Sequence, residues 1–545
     1  MKRTALSHLL IALYLVCAGL LGWWMMKDAA ISTGTTTNQE ATRKPAPARV
    51  VDTENADSKG GPRSPSKMRL SLEDALLGIP NERLVRFSND ADYLRFLASL
   101  DGSGLRLLGK IDQLRAVRLG FDELSDFDDL LDDADTSTNY LVSVPDLPEV
   151  SAQPGALGFG NQLLAWLGIN EDNSSWGTGI KIAILDTGIG AHSALPDGIR
   201  QVDLVSTAGE IPINGHGTAV ASLIVGKSGL ARGIAPGAEI TSFRIGNENG
   251  ESNSFLLAEG IIAAADAGSQ LLNISMGSYG DSAIVRDAIS YAQEQGALII
   301  ASSGNEGFDA PAYPASYDGV ISVGAVDAKS DFMNFSNFGS TLDAPGYSIN
   351  AAWTEDQYTL FSGTSASAPV VTAAIAATAT QLNIPLDQAY DVVFANLNEA
   401  GAPGNDPSFG EGIVHVGRAV KSTTPGLYDV AAASNHYVPA NEEDPIGSLF
   451  VTFQNRGTES IINYPATITL PNNTYSYNIA NLPPGGIQTF DVPLYIPRDV
   501  ETFGIISSVE PNEDQSDVDP RNNSLGTQIS LTPSDPRNPS NSRNP

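Results

Sequence analysis

The chain has 545 residues, enough for about two to four domains that each bury a core. Hydrophobic residues make up 42% and charged residues 17%, a globular composition that excludes disorder on the scale of a domain. With 63 acidic against 31 basic side chains the net charge is −32, which excludes nucleic acid or an anionic membrane surface as a partner held by surface charge, and suits an exported soluble protein with affinity for cations such as calcium.

Lys2 and Arg3 precede an apolar, uncharged run of 21 residues from Leu6 to Met26, closed by Lys27 and Asp28. Residues 1–28 therefore read as an export signal, either cleaved or retained as an anchor, since the run is long enough to span a bilayer and carries Trp23 and Trp24 at interface positions. The expected location is secreted or periplasmic. Cys17, the sole cysteine, lies in this run, so the folded part is expected to have no intramolecular disulfide.

Residues 29–68, rich in Thr, Ser, Pro, Asn and Lys without apolar periodicity, read as a disordered linker. Residues 69–150 then show a compact α+β pattern. Arg83–Phe87 alternates like a strand, Ala91–Leu100 has helical spacing, and Leu105–Phe121 reads as two short strands. Asp122–Ala134 is an acidic amphipathic helix and Tyr140–Val144 a closing strand, giving the β-α-β-β-α-β order of a ferredoxin-like domain.

From residue 155 to 424, β-branched runs (Lys181–Leu185, Ala297–Ala301, Val320–Val323) alternate with Ala-rich helical runs such as Ala366–Gln381. Such alternation predicts an α/β domain with a parallel sheet covered by helices on both faces and functional groups at the carboxyl ends of its strands. Residues 427–532 change character again. Short strands (Ser448–Phe453, Ala466–Leu470, Phe490–Ile496) separated by Asn, Gly and Pro predict an Ig-like β-sandwich, and residues 533–545 a disordered tail.

Three segments carry chemistry. Ile182–Gly188 is an apolar strand that delivers Asp186 at its end; His216 stands between glycines in Asn214–Thr218; Ser365 opens an Ala-rich helix in Gly363–Pro369. Each has a plain alternative: a turn aspartate, a loop histidine, an N-cap serine. Together they supply a hydroxyl nucleophile, an imidazole base and a carboxylate to orient it. The glycines around His216 are expected to let a substrate backbone approach. No His/Glu or Cys cluster has zinc spacing, which argues against metalloprotease chemistry.

The blocks DTG at Asp186, GHGT at His216 and GTSxxxP at Ser365, in that order, resemble the subtilisin-like serine proteases, the subtilases. The resemblance implies a subtilisin-like fold, protein or peptide substrates, and a triad of Asp186, His216 and Ser365. It assigns Asn305, in Ser302–Gly307, and the Ser365 backbone N–H to the oxyanion. It also makes Ser275, Met276, Gly277 and Gly304 the substrate contacts, and residues 69–150 a propeptide that folds, inhibits and is cut off by the enzyme, at a point between about Pro145 and Gly160.

No cofactor is implied for the chemistry. Calcium is left as a structural ion with no ligand assigned. His192–Leu195, Ala219 and Val370 depart from the commoner family pattern, so metal sites of better-known members do not transfer. Val451–Thr458 and Asp519–Asn523 resemble the Ig-like (CARDB-type) adhesion modules of bacterial surface proteins, which implies contact with a cell surface or polymer. The competing reading is a silent adhesion protein on a subtilase scaffold; against it, all four groups Asp186, His216, Asn305 and Ser365 are intact.

Overall fold

A strand that is apolar on both faces must be buried between two layers, and the chain builds its central sheet from such strands. The computed structural model describes residues 35–38, 77–101, 103–122, 134–145, 153–205, 214–440, 446–496, 500, 502–512 and 515–530. Residues 1–28 and the acidic stretch 123–133, expected to be an export signal and a helix, lie outside them. Inside the expected linker, Thr35–Asn38 instead forms a strand, β1; three consecutive threonines favour extended backbone.

The N-terminal domain comprises β2 (Gly78–Phe87), α1 (Asp90–Ser99), β3 (Arg106–Ile111), β4 (Ala116–Gly120) and β5 (Ala134–Ser143). Asn89 caps α1 by accepting the Asp92 N–H. Val85, Phe87, Tyr93, Phe96, Val117 and Leu119 form its core. The closing strand begins at Ala134, earlier than the expected Tyr140, because Ala134 to Thr138 pair with Arg83–Phe87 of β2, a pairing that Thr136 and Thr138 permit.

The middle domain runs through β6 (Lys181–Asp186), β7 (Arg200–Asp203), α2 (His216–Val225), β8 (Glu239–Arg244), β9 (Glu251–Asn253), α3 (Ser254–Asp266), β10 (Leu271–Ile274), α4 (Ala283–Glu294) and β11 (Leu298–Ser302). It continues with β12 (Val320–Val326), β13 (Leu342–Pro345), β14 (Ile349–Ala352), β15 (Tyr358–Phe361), α5 (Thr364–Leu382), α6 (Leu386–Ala395) and α7 (Val416–Lys421). Seven strands form one sheet in the order β13-β12-β11-β10-β6-β8-β7, every neighbouring pair parallel.

Alternate residues of each strand feed opposite cores. Ile182, Ile184 and Ile300 pack with Val220, Leu223, Val371 and Ile375 of α2 and α5. Ala183, Leu185, Ile299 and Ala301 pack with Ile261, Ile262, Val285 and Ile289 of α3 and α4. Leu84, Ile111 and Ala116 of the N-terminal domain join this second core, so that domain's sheet sits on α3 and α4. No single helix among the described residues is long and apolar enough to cross a membrane.

The C-terminal module comprises β16 (Val430–Val438), β17 (Ser448–Asn455), β18 (Ile461–Leu470), β19 (Asn473–Leu482), β20 (Ile487–Pro493), β21 (Thr502–Val509) and β22 (Ser524–Ser530). Two sheets, β16-β17-β20 and β1-β22-β21-β18-β19, enclose Val451, Phe453, Tyr464, Ile468 and Ile505. Its junction with the middle domain is polar and buried. The Arg418 guanidinium donates to Leu397 O at 3.0 Å, Asn398 Oδ1 at 2.8 Å and Arg456 O at 3.3 Å. Gln454 donates to Leu397 O at 2.9 Å and accepts the Glu399 N–H at 3.1 Å.

Burial raises the Glu399 carboxyl to about 7, with Asp406 adding to the rise, against the partial relief of the Gly404 N–H that it accepts. The folded chain therefore binds this proton more tightly than the unfolded chain, whose carboxyl titrates near 4.5. Stability is gained below that range and lost as pH rises through about 7. Glu399→Gln keeps the acceptor for Gly404 without the charge. In a Ser365→Ala background, its melting temperature should exceed the parent's at pH 8, by about 2–4 °C if about 1 kcal/mol is recovered. The difference should close near pH 4.5, and calorimetry across that range checks it.

Candidate active site

Strand β6, inside the sheet between β10 and β8, ends in Asp186, whose carboxylate is fully buried. An isolated buried charge is costly unless hydrogen-bonded, and three donors meet it. The Thr187 N–H donates to Oδ1 at 2.7 Å and the Thr187 hydroxyl at 3.1 Å. His216 Nδ1 lies 2.9 Å from Oδ1 and 3.0 Å from Oδ2. With a carboxylate as acceptor, Nδ1 carries the proton, which leaves Nε2 as the basic nitrogen.

His216 is the first residue of α2; its own N–H donates to Asn214 Oδ1 at 3.0 Å, and its ring meets Phe361 edge-on at 5.2 Å. Its Nε2 is buried and has no hydrogen-bond partner among the described residues. The flanking glycines serve the protein's own chain rather than an incoming one. A Cβ at Gly215 would enter the Trp353 indole, and one at Gly217 would strike the Gly188 carbonyl, 3.1 Å from Asp186 Oδ1. The reading of these glycines as room for substrate backbone is corrected accordingly.

Ser365, 1% exposed, is the second residue of α5, which packs beside α2. Gly363 precedes it at φ +121, where a side chain would collide with the Asn305 amide. The Ser365 hydroxyl donates to Ser275 O at 3.2 Å. Pro369 has no N–H for the carbonyl four residues back, which is Ser365 O, and that carbonyl accepts from Ser275 Oγ at 3.2 Å instead. Ser365 and Ser275 thus hold each other.

Asn305 Oδ1 accepts the Thr364 N–H and hydroxyl, each at 2.9 Å, and its Nδ2 lies against Gly363. Gly304, at φ +106, has the Tyr279 hydroxyl, Glu306 and the Asn337 amide packed on its α-carbon. Tyr279 donates to Glu306 and accepts from Asn337 at 2.8 Å; burial, then the Glu306 charge, push its phenol far up. Met276 turns its side chain into the second core. Gly277 pairs with Ser143 of the N-terminal domain, each N–H donating to the other's carbonyl at 2.9 Å.

Sequence reasoning missed the side chains that hold this set in place, Thr187, Asn214 and Thr364. Their position immediately beside Asp186, His216 and Ser365 was the available signal. Among the described residues no group of three or more His, Cys, Asp or Glu side chains is placed to hold a metal ion, so no ligand set for calcium is assigned.

The model of the Subtilase family matches residues 177–412. Subtilisin Savinase of Lederbergia lenta is 32% identical over 252 residues, 45% of this chain and 92% of that protein. The chain belongs to the subtilase family. The thermophilic serine proteinase of Bacillus sp. is 34% identical over 240 residues, 42% of this chain and 60% of that protein. Among solved structures, the subtilase chain resembles the epidermin leader peptide processing serine protease of Staphylococcus aureus (TM-score 0.53, 20% identity, 63% of this chain and 98% of that one). It also resembles fervidolysin of Fervidobacterium pennivorans, a keratinolytic enzyme related to subtilisin (TM-score 0.53, 19% identity, 84% and 76%). At these identities the two structures speak to the fold.

The packing at Gly217 yields a direct test in this subtilase. Gly217→Ala forces a methyl group against the Gly188 carbonyl and should cost about 1–3 kcal/mol as overpacking. Denaturant unfolding in the Ser365→Ala background measures it, against Ser365→Ala alone.

Proposed function

We propose that the chain is an exported serine endopeptidase in which Ser365 is the nucleophile, His216 the base and acid, and Asp186 the group that orients the imidazole. The observation that carries this reading is the buried Asp186–His216 pair, with bonds of 2.9 and 3.0 Å to Nδ1 and an unpartnered Nε2, on a helix packed beside the one that Ser365 opens. Export is supported by the apolar run Leu6–Met26 and by similarity, at 34% identity, to a protein named minor extracellular protease Epr of Bacillus subtilis.

In the proposed reaction the Ser365 hydroxyl leaves Ser275 O and turns to His216 Nε2, which takes its proton as Oγ attacks the peptide carbonyl. Asp186 stabilises the resulting imidazolium. The negative oxygen is met by Asn305 Nδ2 and the Ser365 N–H at the positive end of α5. His216 then protonates the leaving amine, and water, deprotonated by the same nitrogen, releases the acyl group. The N-terminal domain acts as a propeptide, covering the cleft until the chain cuts it off. The C-terminal module is assigned a docking role toward a cell surface or polymer.

Expressed side by side, the parent should lose a fragment of about 15 kDa that Ser365→Ala retains, and a fluorophosphonate should label the parent at Ser365. Mass spectrometry reads both. Two full-length, unlabelled proteins would overturn the reading. Asn305→Ala should lower kcat about 10²–10³-fold on a peptide substrate, with far less change in KM.

A further inference from the structure

Strand β5 does more than close the N-terminal domain. Along one side it pairs antiparallel with β9, Leu141 opposite Asn253 and Ser143 opposite Glu251. The Val144 N–H continues this side by donating to Gly250 O at 2.8 Å, and the Gly250 α-carbon lies against Val144 Cβ. Along the other side, Ser143 and Gly277 exchange two bonds. A segment between two strands, hydrogen-bonded to both, is held in a fixed register.

That register can be continued. In an antiparallel ladder, if residue 143 faces residue 277 in a doubly bonded pair, residue 145 faces residue 275 in the next such pair. Ser275 O is the atom that the Ser365 hydroxyl touches. Continued by one pair, the ladder would set Pro145, a buried residue, opposite Ser275 and so beside Ser365. The next pair would need an N–H from residue 145 to Ser275 O, and proline has none. Ser275 O then keeps the Ser365 hydroxyl as its donor, and His216 Nε2 has no hydrogen-bond partner among the described residues.

Resting on the peptidase reading above, we propose that the chain's own cut falls between Pro145 and Asp146, and that Pro145 slows it by leaving Ser275 O to hold the Ser365 hydroxyl. In this cut Ser365 Oγ forms an ester with the Pro145 carbonyl carbon as the C–N bond to Asp146 breaks. The serine proton passes through His216 to the Asp146 amine, and water hydrolyses the ester to leave a carboxylate on Pro145. An ordinary residue at position 145 donates to Ser275 O and releases the hydroxyl to His216.

The test follows both new ends of the full chain at the earliest times of processing, by intact mass and terminal sequencing. The parent should yield a fragment ending at Pro145 and a product beginning at Asp146. Pro145→Ala and Pro145→Ser should cut at the same bond and faster, by roughly tenfold, the worth of one neutral hydrogen bond. Paired ends at another bond, lost in Ser365→Ala, overturn the proposal and leave the peptidase reading standing. Unchanged or slower cutting in both position-145 variants overturns the role of the proline. No cut in any variant, with Ser365 also silent toward a fluorophosphonate, overturns this proposal and the peptidase reading together.

Discussion

The structure turns on a carboxylate that has no access to water. Asp186 ends an interior strand of a sheet covered on both faces, and a charge there is sustainable only while donors surround it. Two of the three donors belong to Thr187, fixed by the chain itself, and the third is an imidazole brought in on α2. The need to satisfy this one group explains why Gly217 has no side chain, why Thr187 also receives the Gly217 N–H at 3.2 Å, and why α2 begins where it does.

A second constraint acts at the start of α5. Three sets of groups there are committed: Thr364 to Asn305, the Ser365 hydroxyl to Ser275 O, and the Ser365 carbonyl to Ser275 Oγ in place of the N–H that Pro369 lacks. Asn273 ties the same strand to the same helix, donating to Ser275 Oγ at 3.0 Å and accepting from Thr372 at 2.9 Å. Ser365 is therefore positioned by the end of β10 and the loop after β11 together, and not by the helix alone. Rigidity at Ser365 comes from bonds between elements distant in sequence.

Much of this was legible from residue patterns. Runs such as Lys181–Leu185 and Ala297–Ala301 announce a doubly covered parallel sheet because, Lys181 at the strand start apart, they are apolar on both faces, and the structure places them as β6 and β11. The change of character after Pro425 marks the sandwich for the opposite reason, since alternation there reflects one buried face. What local pattern could not supply was any pairing between distant segments. Glu251–Asn253 has no strand-like composition and becomes β9 because β5 lies beside it. Gly215 and Gly217 read as room for a ligand, yet what they accommodate, Trp353 and Gly188, is far away or invisible without the fold. The early start of β5 and the strand at Thr35–Asn38 were likewise matters of partner, and propensity only permitted them.

The N-terminal domain is joined to the rest by the same kind of bond that builds the sheets. Its apolar residues share a core with α3 and α4, Arg86 bridges Asp135 and Asp287, and the Asn139 side chain accepts the Phe255 N–H at 3.2 Å at the opening of α3. A helix that opens with an unpaired N–H must find an acceptor elsewhere, and here the acceptor arrives from another domain. Removing that domain would return the α3 N–H to water and strip β9 of its only strand partner among the described residues. The ladder of β5, β9 and Gly277 is thus a template whose two edges have hydrogen-bonding groups to offer and whose middle place is filled by backbone. Because backbone pairing carries no side-chain identity, it suits an extended segment of any sequence, except where a residue such as proline lacks the N–H that completes the ladder.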